Sequence, residues 1–146
     1  MESSVRHLVY DKLADASLGL YFALRKRLDA VAKEAGLSYQ QAQVLSFLKD
    51  KSPVTMTALA KEFDLTRAAM TGLIDRLVEK RLAVREYDSK DRRVVLIRIS
   101  ESGKAKSNIY QKKLAAVFKK VAYGLSIEER KTFIELSKRL NLKGKE

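Results

Sequence analysis

The 146-residue sequence contains no cysteine. That absence excludes disulfides, cysteine metal sites and thiol-based redox sensing, and it agrees with a reducing cytoplasm. There is one histidine, His7, and a lone imidazole with no thiolate to help cannot build a zinc site. No stretch approaches the apolar length that crosses a bilayer. The opening MESSVRHLVYDKLADAS also lacks the apolar run of a secretory signal. A cytoplasmic chain with no membrane partner is expected. Phosphate-cradling glycine loops are missing, and so is any Ser, His or Cys nucleophile constellation. Two carboxylate pairs have simpler uses than acid–base or metal chemistry. Glu128 with Glu129 suits the first turn of a helix, and Asp88 with Asp91 sits among arginines. Neither an enzyme nor a cofactor is predicted.

Acidic residues are the minority charge. Thirty Lys+Arg stand against 18 Asp+Glu, a net charge of +12 with a pI near 9.9. Such a balance points to a polyanionic partner. Hydrophobic residues make up 46% of the chain, enough for an ordinary core.

Helical spacing runs from about Val5 to Ala35 through Leu8, Val9, Leu13, Ala16, Leu20, Leu24, Leu28 and Val31. Gly36 stands where a left-handed cap is expected. Tyr21 and Phe22 lie beside the main stripe, so this long helix has more than one apolar side and room for a second subunit as partner. Ser38 and Gln41 form a capping box opening a second helix with Ala42, Leu45, Phe47 and Leu48 on its core face. KDKSP (49–53) ends that helix, because Pro53 lacks an N–H and disfavours helix in the residue before it. A short helix from about Met56 to Phe63 follows, capped by Thr55. After the tight Asp64–Leu65 connection, Thr66 caps a helix from Arg67 to about Lys80 with Met70, Leu73, Ile74 and Leu77 at helical spacing. Two such helices and their turn are a helix-turn-helix.

The period then changes to two. Residues 82–87 and 94–99 read as strands joined by the loop 88–93, which holds no Gly or Pro. Ser100 or Ser102 opens a helix to about Tyr123, ended by Gly124. Ser126 and Glu129 repeat the capping box before a last helix bearing Phe133, Ile134, Leu136 and Leu140. The closing KGKE is expected to fray.

A helix-turn-helix followed directly by a two-stranded hairpin is a winged helix. A hairpin tip of this kind reaches the phosphate backbone or the minor groove, where the always-charged planar fork of Arg suits the negative potential. One aspartate in the tip would pair with an Arg and fix its direction. The first turns of the reading helix should face the major groove. Thr66 and Thr71 suit phosphates or base edges, Arg67 suits guanine or phosphate, and Ala68 suits a thymine methyl. Met70 reads as core in preference to DNA contact. Gly72 is open to two readings, close approach to something or neutrality. Lys61, Arg76, Lys80 and Gln40 are candidates for phosphate contact, as are Arg85 and Arg98 on the wing strands.

The sequence resembles the MarR family of transcriptional regulators over nearly its whole length. The wing pattern D-x-x-D-R-R stands here as Asp88-Ser89-Lys90-Asp91-Arg92-Arg93, followed by Leu96 to Ile99, Ser100 and Gly103. The family's two helix-turn-helix segments resemble Thr55 to Ala60 and Thr66 to Leu77. The resemblance implies a mostly α fold with a small β-hairpin wing. A DNA-binding winged helix-turn-helix over 37–100 is flanked by dimerisation helices over 1–36 and 101–146. It implies a homodimer on double-stranded DNA, most simply a repressor on a pseudo-palindromic operator. It also implies that Asp91 pairs with Arg93 while Arg93, helped by Arg92 and beside Lys90, enters the minor groove. Some members bind a small aromatic or phenolic effector between the dimerisation helices and the winged helix, where Tyr10, Tyr21, Tyr39, Tyr110 and Tyr123 are candidates to line a pocket. Arg81 departs from the family, which usually has Gly there for a left-handed turn, and Ser100 replaces the usual Thr. The net charge alone equally suits a basic, chromatin-like protein that coats DNA without sequence preference, and a winged helix can also serve as a protein-interaction module.

Overall fold

The computed structural model describes residues 2–140. The elements run α1 (Glu2–Glu34), α2 (Tyr39–Lys51), β1 (Val54–Thr55), α3 (Met56–Glu62), α4 (Arg67–Glu79), β2 (Ala83–Tyr87), β3 (Val95–Ile99), α5 (Glu101–Val121) and α6 (Ile127–Arg139). The KGKE end lies outside the described residues. The fold is the expected winged helix among long helices, with one addition. The two residues of β1 make the hairpin a three-stranded antiparallel sheet in the order β1-β3-β2, pairing Val54 with Ile97 and Thr55 with Leu96. A two-residue strand has no periodicity of its own, so the sequence carried no sign of it.

Short-range chemistry sets the helix starts. The hydroxyls of Ser38, Thr55, Thr66, Ser100 and Ser126 each accept an N–H from the first turn of their helix. Such caps contribute about 1 kcal/mol each. Both capping boxes are complete: Gln41 and Glu129 accept the backbone N–H groups of Ser38 and Ser126. Ser100, rather than Ser102, is the cap of α5.

Three helices end in the same way. After α1, Leu37 N–H reaches Ala32 O and Gly36 N–H reaches Lys33 O. After α3, Leu65 reaches Ala60 and Asp64 reaches Lys61; after α4, Leu82 reaches Leu77 and Arg81 reaches Val78. This double bond pattern needs a left-handed residue just past the helix. Gly36 (φ 72°), Asp64 (φ 51°) and Arg81 (φ 60°) fill that position. Arg81 thus adopts the strained conformation its departure from the family raised, at a cost of about 1 kcal/mol. Gly124 does not have positive φ, so α5 ends without a glycine cap.

The core lies inside the winged helix. Leu45, Leu48, Leu59, Met70, Ile74, Leu77 and Ile97 are fully buried there, each stabilising by roughly 1.5–3 kcal/mol. Met70 is therefore a core residue. Tyr110 carries α5 into the same cluster, and Val31, Ala32 and Ala35 bring in the end of α1. Phe47 and Phe63 pack edge to face with ring centres 5.6 Å apart. The remaining helix surfaces behave differently. Leu8, Val9, Tyr10, Leu13, Tyr21 and Phe22 of α1 are exposed, and α6 buries no residue at all, with Phe133, Ile134, Leu136 and the following Leu140 open to solvent.

Candidate nucleic-acid interface

The wing tip is held by its own carboxylates. Asp88 Oδ1 accepts the backbone N–H of Lys90 at 2.8 Å and of Asp91 at 3.0 Å. Its backbone N–H donates to Val94 O, while Val94 N–H donates to Asp91 O, closing the loop without glycine. Asp91 then takes three bonds from Arg93. Oδ1 accepts the backbone N–H at 3.0 Å and Nε at 3.1 Å, and Oδ2 accepts Nη2 at 3.2 Å. The side-chain bond and then the backbone bond from Arg93 hold the Asp91 carboxyl below the usual aspartate range. The Arg93 side chain is nevertheless 91% exposed, so the guanidinium is aimed but still free to meet a partner. Lys90 and Arg92 are exposed beside it. The pairing of Asp91 with Arg93 is as expected; the role of Asp88 as the loop's backbone tie was not foreseen, although Asp at the head of a turn is a known signal for it.

The reading helix presents its first turn. Arg67, Ala68 and Ala69 are exposed, Thr71 and Gly72 are half-buried, and Met70, Leu73, Ile74 and Leu77 face inward. Thr66 Oγ1 accepts Ala69 N–H at 3.1 Å, a bond that leaves the hydroxyl proton uncommitted. Thr71 gives its proton to Arg67 O at 2.8 Å, which leaves it only lone pairs to offer. Gln40, in the first turn of α2, faces the same side of the molecule. Gln40, Ala68, Ala69, Gly72 and Arg76 line one trench of about 300 Å³ together with Leu65 and Leu73. A Cβ added at Gly72 would meet nothing within 4 Å, so the packing does not require glycine there.

Three other basic candidates are tied up. Arg85 of β2 donates to Asp75 of the reading helix at 2.6 Å, and Arg98 of β3 donates to Glu86 of β2 at 2.9 Å. Lys80 Nζ donates to Gly36 O, joining α4 to the end of α1. Lys61 is exposed on α3. The bond from Arg85 to Asp75 links wing and reading helix, and sequence reasoning missed it because the partners lie on different elements.

The base of the wing is locked to α5. Ser100 Oγ and Ser102 Oγ both donate to Arg81 O at 2.7 Å. Ser100 N–H donates to Leu82 O at 3.1 Å. A Cβ at Gly103 would stand 2.0 Å from Leu82 O and 2.8 Å from Ile99 Cγ1. Only glycine lets α5 start this close to the turn that carries the wing.

A second cleft, of about 500 Å³, opens between the long helices and the winged helix. Leu28, Tyr39, Phe47, Phe63, Tyr110 and Phe118 contribute its apolar wall, with Gln43, Ser46 and Gln111 among the polar lining. Arg25 of α1 lies over the Tyr39 ring at 4.6 Å and pairs with Asp29. Of the five candidate tyrosines, Tyr39 and Tyr110 line this cleft. Tyr10, Tyr21 and Tyr123 are exposed elsewhere.

The MarR family model matches residues 35–94, the segment holding the helix-turn-helix and the wing loop through Arg93. Over that segment the chain is similar to the MarR family. Its relatives in Bacillus subtilis include the uncharacterised HTH-type transcriptional regulator YhbI, 29% identical over 70% of this chain and 66% of that protein. The HTH-type transcriptional repressor MdtR of the same organism is 29% identical over 64% of this chain and 63% of its own length. The matches thus span a little under two thirds of these relatives. The fold is also that of a solved structure, a mutant of MepR from S. aureus bound to an oligodeoxyribonucleotide. That likeness has a TM-score of 0.65 at 19% identity, covering 87% of this chain and 94% of the other.

Proposed function

We propose that this chain is a homodimeric, sequence-specific MarR-family regulator of transcription, most simply a repressor that occludes a promoter by binding double-stranded DNA at a pseudo-palindromic operator. The observation that carries the reading is the wing tip, an arginine fixed in direction by Asp91 yet almost wholly exposed beside a helix with an open first turn. Preordering of this kind lowers the entropy lost on binding. Two reading helices would enter successive major grooves about one helical turn apart, with Arg93 and Arg92 in the flanking minor grooves. Thr66, Arg67, Ala68, Thr71, Gln40 and Arg76 would contact the major-groove side, and Lys90 the backbone. The repressor name of MdtR and the oligonucleotide on MepR support this choice.

The exposed apolar faces of α1 and α6 support the dimer. Leu13, Tyr21, Phe22, Phe133, Ile134 and Leu136 are each at least 50% exposed on a single chain. Monomers rarely leave so much apolar surface uncovered. Segments 1–36 and 101–146 are thus the proposed dimerisation arms. The cleft between them and the winged helix suits a small aromatic or phenolic effector, whose binding would change the spacing of the two reading helices.

The experiment is footprinting on duplex around the chain's own coding region, followed by competition with random duplex. A specific site should win by at least about a thousandfold, and Arg93→Ala should weaken it while leaving the circular dichroism spectrum unchanged. Equal affinity for all duplexes would replace this reading with a sequence-neutral DNA-coating protein. Absence of binding to any duplex at low salt would replace it with a protein-interaction module.

A further inference from the structure

We propose that the reading helix recognises its half-site mainly through the C5-methyl groups of thymine, admitted by close approach to the trench at Ala68, Ala69 and Gly72, rather than through base-edge hydrogen bonds. The inference rests on the DNA-binding reading above and names the sequence chemistry that reading leaves open.

Three observations carry it. First, the outward stripe of α4 begins with Ala68 and Gly72, four residues apart on one face, and neither has a side-chain donor or acceptor. Thr71 beside them has already given its proton to Arg67 O. The N-terminal half of a reading helix is the part that meets base edges, and here, behind the exposed Arg67 at its start, that half offers methyl groups and bare backbone. Second, Gly72 is not required by the fold. Its added Cβ meets nothing, its φ is helical, and glycine inside a helix is unfavourable relative to alanine. A residue that weakens its own helix and relieves no internal clash is accounted for by something outside that approaches it. Third, the trench joins apolar lining from Leu65, Ala68, Ala69, Gly72 and Leu73 to two polar side chains, Gln40 from α2 and Arg76 from α4. A major groove offers partners for both, phosphates for the polar side chains and thymine methyls for the apolar lining. Arg76 makes no ion pair among the described residues, which leaves its charge for a phosphate.

The test uses the full chain and its operator, obtained by in vitro selection from random duplex. Each thymine of a half-site is replaced in turn by deoxyuridine, which removes the methyl and keeps every hydrogen-bonding atom. At least one position per half-site should lose about fourfold in affinity, the worth of one buried methyl. Replacement at all such positions should lose the product of the single losses. In parallel, Gly72→Ala should raise the melting temperature of the free protein and weaken operator binding by roughly tenfold or more, the scale of one lost close contact to a base. An operator whose affinity is unmoved by deoxyuridine overturns the inference and leaves the regulator reading standing. So does a Gly72→Ala variant that binds as tightly as the parent. Failure to select any duplex overturns the regulator reading, and this inference with it.

Discussion

Replacing Gly103 by alanine should damage the molecule far more than the gain of one methyl group suggests. The new methyl would lie 2.0 Å from Leu82 O and 2.8 Å from Ile99 Cγ1. A carbon needs more than about 3 Å from a carbonyl oxygen, so α5 must withdraw by roughly 1 Å or more. Withdrawal stretches the two 2.7 Å bonds from Ser100 and Ser102 to Arg81 O and the 3.1 Å bond from Ser100 N–H to Leu82 O. Overpacking alone costs about 1–3 kcal/mol. Each weakened hydrogen bond adds about 0.5–1.5 kcal/mol. Alanine returns about 1 kcal/mol of helix propensity. The net loss is about 1.5–6.5 kcal/mol, a fall in melting temperature of roughly 3–26 °C for a chain of this size. Urea denaturation at fixed protein concentration reads it directly. A variant within about 0.5 kcal/mol of the parent, the range of an ordinary surface substitution, would refute the close approach. With it would go the claim that the wing base and α5 form one rigid joint.

Arg81→Gly should act in the opposite direction, raising stability by about 0.5–1 kcal/mol in the same assay by removing a left-handed side chain; a loss would mean that the arginine makes compensating contacts. For Asp91, the sign follows from a carboxyl held below its usual value: its grip on Arg93 is complete above about pH 4 and is lost as pH falls through the lowered value. Operator affinity should therefore not depend on the titration of Asp91 between about pH 5 and 8. Asp91→Asn at about pH 7 should weaken binding roughly twofold to tenfold by freeing the guanidinium, and a carboxyl titrating at or above the ordinary aspartate value by NMR would refute the pairing. Arg93→Ala should lower the slope of log affinity against log salt by about 1; an unchanged slope would mean that the Arg93 guanidinium displaces no counterion from the duplex. Phe133→Asp, on a helix that buries no residue against its own chain, should shift sedimentation toward single subunits, and an unaltered dimer would place the interface elsewhere.

What the sequence made legible was local. Serine, threonine and glutamine at fixed offsets announced the caps, and period 3.6 followed by period 2 announced helices and wing, because the atoms concerned lie within a few residues of one another. The pairing of Asp91 with Arg93 is likewise a short-range affair. Bonds across elements were not legible. Asp75 with Arg85, and Ser102 with Arg81, lie 10 and 21 residues apart, and only the folded chain brings them together. Gly72 and Gly103 look alike in the sequence, both glycines in helices. One stands in open space and the other against a carbonyl, and that difference arises wholly from what packs beside them.

Helix α6 has 13 residues and buries none of them against its own chain. Isolated helices of that length are marginal in water. In the proposed dimer its winding would be a property of the population rather than of the molecule: two chains would have to meet before either kept this helix coiled. Copy number would then become a folding variable. In a cell making few copies the tails would unravel and fall first to proteases, so scarcity would feed on itself and abundance would preserve itself.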